Sequence, residues 1–332
     1  MRILAIETSC DETGVAVVED GRRIRSNVIA SQTAHQATGG IVPEVAAREH
    51  LRALDPITEQ ALREAGMELR EVDAIAATVG PGLIGALLVG ANYGRGLALA
   101  AGLPFVGVNH LEGHVYANWL YDTEDVPLEP ELPAVVLVVS GAHSDLVLME
   151  AHRRFRLLGR TIDDAAGEAY DKVARLLGLG FPGGPEIERS ARQGDATAYQ
   201  LPKAWLPDRF DFSFSGLKTA TLRLVRGLEA KGDVPVADVA ASFQKAINEA
   251  LAEKVARAAA EHGARTVMLG GGVAANGPLR AEIQRRTNVP LRVPPPRLCT
   301  DNGAMIGAAA FFSLRHRTGE IPTLVRSSMP LA

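Results

Sequence analysis

The sequence predicts an α/β protein made of two similar lobes with a central cleft. A strand, a polar turn and a second strand occupy 2–19, and the same unit recurs at 134–150. A stretch rich in proline and acidic residues at 122–133 separates the two copies. The chain of 332 residues is also longer than a typical single core. We therefore expect lobes at 1–128 and 129–332, with the C-terminal tail a candidate to pack back on the first lobe.

Glycine-rich turns follow a later strand in each half. In the first half, the strand 74–79 leads into Gly80-Pro81-Gly82 and then into a helix of small residues that starts at Leu83. This helix is apolar, but it contains Asn92 and Arg95, so it is more typical of a buried helix than of a membrane span. In the second half, the strand 266–269 leads into three glycines at 270–272. Neither turn matches a P-loop or a G-x-G-x-x-G fingerprint. A nucleotide site of the two-lobed actin and sugar-kinase kind fits better.

Composition narrows the class of protein. Hydrophobic residues make up 47% and charged residues 22% of the chain, as in ordinary globular proteins. The net charge is −4 and aromatic content is 5%, so nucleic-acid binding would need local basic patches or partner subunits rather than the whole surface. Two cysteines, Cys10 and Cys299, fit a reducing compartment. The N-terminus lacks a signal-peptide pattern, so we expect a cytoplasmic protein that does not bind membranes.

Two histidines four residues apart are the strongest candidates for chemistry. A strand ending near Asn109 and a helix starting there would place His110 and His114 on one helical face, where they could share a metal. Glu112 lies about 200° around the helix from His110, so the pair does not match the zinc-protease signature. Asp301, just before an apolar helix, could cap that helix or act as a third ligand. The spacing alone leaves both choices open.

Several longer motifs resemble one family. They are Ile6–Thr13, Gly40–Glu44, the His110/His114 pair, Ser213–Thr219 and Cys299–Ala304. In order and spacing they are similar to the bacterial form of the universal tRNA N6-adenosine threonylcarbamoyltransferase family, once mislabelled as a sialoglycoprotein endopeptidase. The resemblance runs from residue 1 to about 310. It implies an actin-like (ASKHA) fold.

The resemblance also implies a set of site residues. His110, His114 and Asp301 match the family's metal ligands, with Fe²⁺ the usual ion and Zn²⁺ an alternative. Substrate or nucleotide contacts are expected at Val138, Val139, Ser140, Gly141, Ala142, Asp171, Gly184, Glu188 and Asn276. The chain departs from its relatives at Ala142, where glycine is usual, and at Glu188, where many carry aspartate. Ala142 adds a Cβ that could change a backbone angle or the approach of a ligand.

The implied reaction is an acyl transfer. A threonylcarbamoyl group moves from threonylcarbamoyl-AMP to N6 of the adenosine beside the anticodon, in tRNAs that read ANN codons, and AMP leaves. We expect Asp11 to orient or deprotonate the attacking amine. Expected partners are tRNA, an inactive paralogue and a small ATPase. The alternatives are an actin-like ATPase or small-molecule kinase, a metalloprotease, and a non-catalytic scaffold.

Overall fold

The computed structural model describes residues 1–32, 41–123, 126–203, 209–316 and 321–331. Gly40 of the Gly40–Glu44 motif lies outside these ranges. The chain divides into two compact units. Unit 1 comprises Met1–Pro130, Ala151–Phe155 and Arg297–Ala332, and unit 2 comprises Glu131–Glu150 and Arg156–Pro296. The first change of unit falls at 130/131, and 297–332 belong with unit 1, the lobe for which the C-terminal tail was the candidate.

The described residues of unit 1 form a mixed sheet of five strands. The strands are β1 (Arg2–Glu7), β2 (Glu12–Glu19), β3 (Arg23–Ser31), β4 (Ala74–Gly80) and β5 (Phe105–Asn109). Their order is β3-β2-β1-β4-β5, with β1 antiparallel to β2 and parallel to β4. The helices are α1 (Pro43–Ala65), α2 (Ile84–Ala101), α3 (His110–Tyr116), α9 (Pro296–Cys299) and α10 (Gly303–Arg315); Leu69–Glu71 and Ala117–Trp119 are 3-10 turns.

Apolar residues explain how unit 1 packs. The side chains of β1 from Ile3 to Ile6 are fully buried, as are those of β2 from Val15 to Val18. Helices α1 and α2 pack against each other, α1 also packs on β2 and β3, and α10 packs on β1 and β2. The α10 contacts place the end of the chain in unit 1. By length and composition, α2 could cross a membrane, but a third (33%) of it is buried within the protein, where it packs on β4.

Unit 2 repeats the sheet of unit 1. Its strands are β6 (Ala134–Val139), β7 (Ser144–Ala151), β8 (Arg154–Arg160), β9 (Thr266–Gly270) and β10 (Leu291–Arg292). The order is β10-β9-β6-β7-β8, with β6 antiparallel to β7 and parallel to β9. In both units the first strand therefore lies between the second and the fourth. The helices are α4 (Ala166–Leu176), α5 (Gly183–Ala191), α6 (Ser215–Glu229), α7 (Val236–Glu261) and α8 (Gly277–Arg286); Gly272–Ala275 is a 3-10 turn.

The duplicated fold predicted from the sequence is thus confirmed by strand order and direction. The shared unit extends beyond the two hairpins that the sequence pattern revealed, because the fourth and fifth strands of each sheet also correspond. In both units the fourth strand ends at a glycine-containing turn, as predicted at Gly80–Gly82 and at Gly270–Gly272.

Candidate metal centre and a second group of candidate residues

The end of β5 and the start of α3 position the histidine pair. The Asn109 side chain caps α3 by accepting a hydrogen bond from the backbone N–H of Leu111 at 2.8 Å. The helix therefore begins at His110, and four residues later His114 lies on the same face. Their ring centroids are 4.7 Å apart, and both side chains are buried. The placement predicted from the spacing is confirmed.

The start of α10 decides between the two roles left open for Asp301. Asn302 caps the helix, because its Oδ1 accepts a hydrogen bond from the backbone N–H of Met305 at 3.0 Å. Its Nδ2 donates to the carbonyl of Thr300 at 2.7 Å, which shapes the turn before the helix. The capping role thus falls to Asn302, and the Asp301 carboxylate lies beside the histidines instead.

Two glycines allow α10 to start directly against the sheet. A Cβ on Gly303 would lie 2.7 Å from the backbone nitrogen of Ala16, and a Cβ on Gly14 would lie 2.7 Å from the backbone nitrogen of Gly303. Real side chains do not tolerate such distances, so only glycine fits at both positions. This close approach brings Asp301, far away in sequence, next to α3.

Three donor atoms converge at this point. Oδ1 of Asp301 lies 3.2 Å from Nε2 of His114 and 3.5 Å from Nε2 of His110. One ligand atom from each of the three residues lies within 4.8 Å of the others. With bonds of about 2.0–2.2 Å, ligands around a tetrahedral ion are about 3.3 Å apart, so the spacing fits a metal.

An unsatisfied side chain supports the same conclusion. His114 is fully buried, and its Nδ1 has no hydrogen-bond partner among the described residues; its Nε2 approaches Asp301 at 3.2 Å without the alignment of a hydrogen bond. A buried polar group without a partner is costly, and a ligand that binds one of the nitrogens would remove part of that cost. Together with an imidazole–carboxylate donor set, this indicates that the residues fit a divalent transition metal.

Several carboxyl groups surround the three donor atoms. Burial raises the pKa of Glu12 to about 9, helped by the nearby carboxylates of Asp301 and Asp11. Burial acts to lower the pKa of His110, but Asp301, Glu7 and Glu12 raise it to about 9. Such a cluster of carboxylates favours a cation between them. The sequence did not single out Glu7 or Glu12 as a site residue, although both lie in the Ile6–Thr13 motif.

Asp11, expected to act on the attacking amine, lies in the turn between β1 and β2. Its side chain forms a hydrogen bond with Glu12, and its carbonyl accepts from the backbone N–H of Gln32 at 3.2 Å. Asp11 is therefore close to the carboxylate cluster.

Glu112 is separate from the donor group. Its Oε2 lies 3.8 Å from Nε of Arg153, and both side chains are largely buried. Arg153 sits in the turn between β7 and β8 with a φ of 60°, a strained value for a residue with a side chain. As its position in the helix predicts, Glu112 points away from the two histidines.

A second group of candidates lies in unit 2, at the end of β6. Val138 and Val139 are its last two residues, and their side chains are fully buried. The backbone N–H of Ser140 donates to the carbonyl of His143 at 2.8 Å and closes a tight turn. Among the residues described, Asp20 and Arg153 are the non-glycine residues with positive φ, so Ala142 adopts an ordinary backbone angle. The Cβ of Ala142 therefore causes no strained backbone angle.

Two further segments approach this turn closely. The backbone N–H of Gly167, near the start of α4, donates to the carbonyl of Ser140 at 3.1 Å, and a Cβ there would lie 2.8 Å from Gly141. Gly271 has a φ of +90°, and a Cβ there would lie 2.3 Å from the carbonyl oxygen of Val139. The glycines thus bring three backbone segments together around Ser140.

Asn276 begins α8 and has all its side-chain hydrogen bonds satisfied within unit 2. Its Oδ1 accepts from the backbone N–H of Leu279 at 2.9 Å and from Nδ2 of Asn248 at 3.0 Å. Its Nδ2 donates to Gln244 at 2.9 Å and to Glu188 at 3.1 Å. An amide has two donors and two acceptor sites, so a nucleotide could contact Asn276 only through its backbone or by displacing one of these partners.

The remaining pair, Asp171 and Gly184, meets at the start of α5. Oδ1 of Asp171 accepts the backbone N–H of Gly183 at 2.7 Å, which holds the first turn of α5. Burial raises the pKa of Asp171. Gly184 is half-buried, and a Cβ at that position would meet no atom within 4 Å.

Comparison with known proteins finds one family along most of the chain. Residues 23–308 match the family model described as tRNA N6-adenosine threonylcarbamoyltransferase. A protein of that name from Thermomicrobium roseum is 51% identical over 355 residues, covering 100% of this chain and 97% of the relative. One of the same name from Symbiobacterium thermophilum is 52% identical, covering 94% and 92%.

Among solved structures, the (R)-2-hydroxyglutaryl-CoA dehydratase component A of Acidaminococcus fermentans aligns with a TM-score of 0.53 at 16% identity, covering 94% of this chain and 98% of that one. Identity this low bears on the fold alone. It agrees with the actin-like class expected from the sequence.

Proposed function

The chain belongs to the tRNA N6-adenosine threonylcarbamoyltransferase family, and we propose that it performs this transfer at a divalent metal held by His110, His114 and Asp301. It is an acyltransferase of tRNA modification, and its product is threonylcarbamoyladenosine. The observation that carries the metal proposal is the buried His114, whose Nδ1 has no hydrogen-bond partner among the described residues and whose Nε2 lies 3.2 Å from Asp301.

The donor set suits Fe²⁺ or Zn²⁺. Imidazole nitrogen and carboxylate oxygen bind either ion, and three protein ligands leave positions open for a substrate. When bound, the metal supplies Lewis acidity toward the oxygens of the threonylcarbamoyl group. Burial raises the pKa of Glu12, and the nearby carboxylate of Asp301 raises it further.

Asp11 is proposed to orient the attacking adenine amine or accept its proton. The exocyclic amine is a weak nucleophile, so positioning should supply most of the rate enhancement. Asp11 is placed for this task in the turn after β1, hydrogen-bonded to Glu12. No covalent enzyme intermediate is needed, because the threonylcarbamoyl carbon can pass directly from the phosphate oxygen of threonylcarbamoyl-AMP to N6.

The AMP part of the donor is proposed to bind in unit 2. Support comes from the turn at Ser140, where glycines 167 and 271 let three backbone segments of unit 2 come together. We propose contacts from Val138, Val139, Ser140, Gly141 and Ala142, with Asp171, Gly184, Glu188 and Asn276 nearby in unit 2. Because the amide of Asn276 is already satisfied, its role is to hold Glu188 in place for a ribose hydroxyl.

The family acts on tRNA. We further propose that the protein works in the cytoplasm with an inactive paralogue and a small ATPase. The net charge of −4 supports a shared tRNA surface, because a protein that binds a phosphate backbone alone usually has a basic excess.

Nucleoside mass spectrometry tests the proposal. Bacterial cells depleted of their own enzyme would express either this chain or its His110→Ala variant. We expect threonylcarbamoyladenosine to return only with the unaltered chain, because the variant loses one of three metal donors. Equal restoration by both would refute the metal proposal. The family assignment does not favour the ATPase or kinase alternative, which predicts phosphoryl transfer without tRNA.

A further inference from the structure

We propose that Glu7 is a positioning residue that keeps the ring proton of His110 on Nδ1 and so directs Nε2 toward the metal. This inference rests on the metal site proposed above. Glu7 is the last residue of β1, and its side chain is fully buried. The four residues before it, 3–6, are apolar and equally buried. A carboxylate in such surroundings is costly unless hydrogen bonds compensate it, so its partners indicate its purpose.

Three donors surround the Glu7 carboxylate. Oε1 accepts the backbone N–H of Ser9 at 2.5 Å, and Oε2 accepts the hydroxyl of Thr78 at 2.6 Å. Oε2 also lies 3.1 Å from Nδ1 of His110. The first two donors belong to the backbone and to a strand neighbour, so they hold the carboxylate in one orientation. The third partner is the imidazole ring of His110, which the fixed carboxylate can orient.

The contacts of the His110 ring distinguish its two nitrogens. Nδ1 faces Glu7 and the hydroxyl of Ser9, both within 3.1 Å. A carboxylate accepts hydrogen bonds and cannot donate, so Nδ1 carries a proton toward it. Nε2, on the opposite side of the ring, faces Oδ1 of Asp301 at 3.5 Å. Nε2 is therefore the nitrogen available to a metal, and a carboxylate behind a ligating histidine also increases its strength as a donor.

The sheet fixes where the carboxylate stands. Strand β4 runs parallel to β1, and its Ala77 pairs with Ile6, so the next residues along the two strands, Thr78 and Glu7, are neighbours. The hydroxyl of Thr78 thus reaches Glu7 from a rigid strand. His114 has no comparable partner among the described residues, since its Nδ1 is buried without a hydrogen bond. His110 is therefore the ligand that the fold orients in advance.

Zinc affinity of Glu7→Gln tests this role. The glutamine keeps the size of the side chain but replaces one acceptor oxygen with an NH₂ group that faces donors. Thr8→Val is the matched control, because it removes a buried hydroxyl from the next residue, whose partner is the carbonyl of Ala86 at 2.9 Å. Competition with a chelator should show a loss of about 10–100-fold for Glu7→Gln, and a much smaller one for Thr8→Val. Equal affinities of the two variants would overturn the proposal.

A spectroscopic signature separates positioning from a general loss of packing. In the zinc-loaded protein with ¹⁵N-labelled histidine, NMR should show His110 protonated at Nδ1 and bound through Nε2; binding through Nδ1 would overturn the proposal. If Glu7→Gln fails to fold, Thr78→Val replaces it in the zinc-affinity measurement. A zinc affinity of Thr78→Val no lower than that of Thr8→Val would overturn the proposal. If the unaltered protein binds neither Zn²⁺ nor Fe²⁺, the proposed metal site is wrong. If the unaltered protein binds metal and Glu7→Gln binds it equally well, only the role of Glu7 is wrong.

Discussion

Replacing Asn302 by alanine should destabilise unit 1 through the start of α10. The side chain is fully buried and makes two hydrogen bonds, to the backbone N–H of Met305 and to the carbonyl of Thr300. Loss of a cap costs about 1 kcal/mol, and leaving a carbonyl without its donor costs about 1 kcal/mol more. The N–H of Ala304 keeps its bond to Asn27 at 3.2 Å, so the end is not fully uncapped. We expect a loss of about 2 kcal/mol in the free energy of unfolding.

Urea denaturation in the presence of a chelator measures this loss without a contribution from metal. The control is Asn92→Ala, because Asn92 is exposed on α2 and its side chain accepts one surface hydrogen bond from Arg95. We expect the control to stay within about 0.5 kcal/mol of the unaltered protein. In Asn302→Ala, zinc affinity should also fall, because the turn before α10 holds Asp301. A loss of stability as small as that of the control would refute the assignment of Asn302 as the cap.

Three other predictions concern different parts of the molecule. Asp11→Ala should lower the rate constant of transfer in a single-turnover assay by more than about tenfold, as expected for a group that orients or deprotonates the amine; a smaller loss removes it from the mechanism. Gly271→Ala should lower the melting temperature far more than Gly272→Ala, because a Cβ would lie 2.3 Å from the carbonyl of Val139 in the first and meet nothing within 4 Å in the second. Burial lowers the pKa of Lys254 to about 8, so the folded protein loses this proton before the unfolded chain, whose lysines titrate near about 10.4. Stability should therefore rise with pH across that interval relative to Lys254→Met, and parallel stability curves for the two proteins would contradict the shift.

The sequence predicts part of the metal centre but not all of it. The spacing of His110 and His114 was enough to place both rings on one face of α3, because that depends only on the helical repeat. The role of Asp301 could not be decided in the same way, since a cap and a ligand have the same local sequence. The structure assigns the cap to the next residue, Asn302.

The burial of Glu7 and Glu12 beside the histidines could not be predicted from the sequence for a related reason. Each stands at the end of a strand, where a charged residue usually faces water. Both are instead drawn into a buried cluster, because β4 and the start of α10 cover that end of β1 and β2. Asn276 shows the opposite case, since its side chain is engaged by three other side chains that no spacing in the sequence could indicate.

By itself, the sequence determined the duplicated α/β fold, the positions of the glycine turns and the histidine pair, and, through its motifs, the family. These features are encoded within short segments, where the alternation of apolar residues and the backbone preferences of glycine act locally. Only the tertiary structure decided that 297–332 pack in unit 1, that Asp301 meets α3, and that Glu7 supports His110. Those contacts join residues far apart in the chain, and they arise because the start of α10 can lie against the backbone of β2 where Gly14 and Gly303 lack side chains.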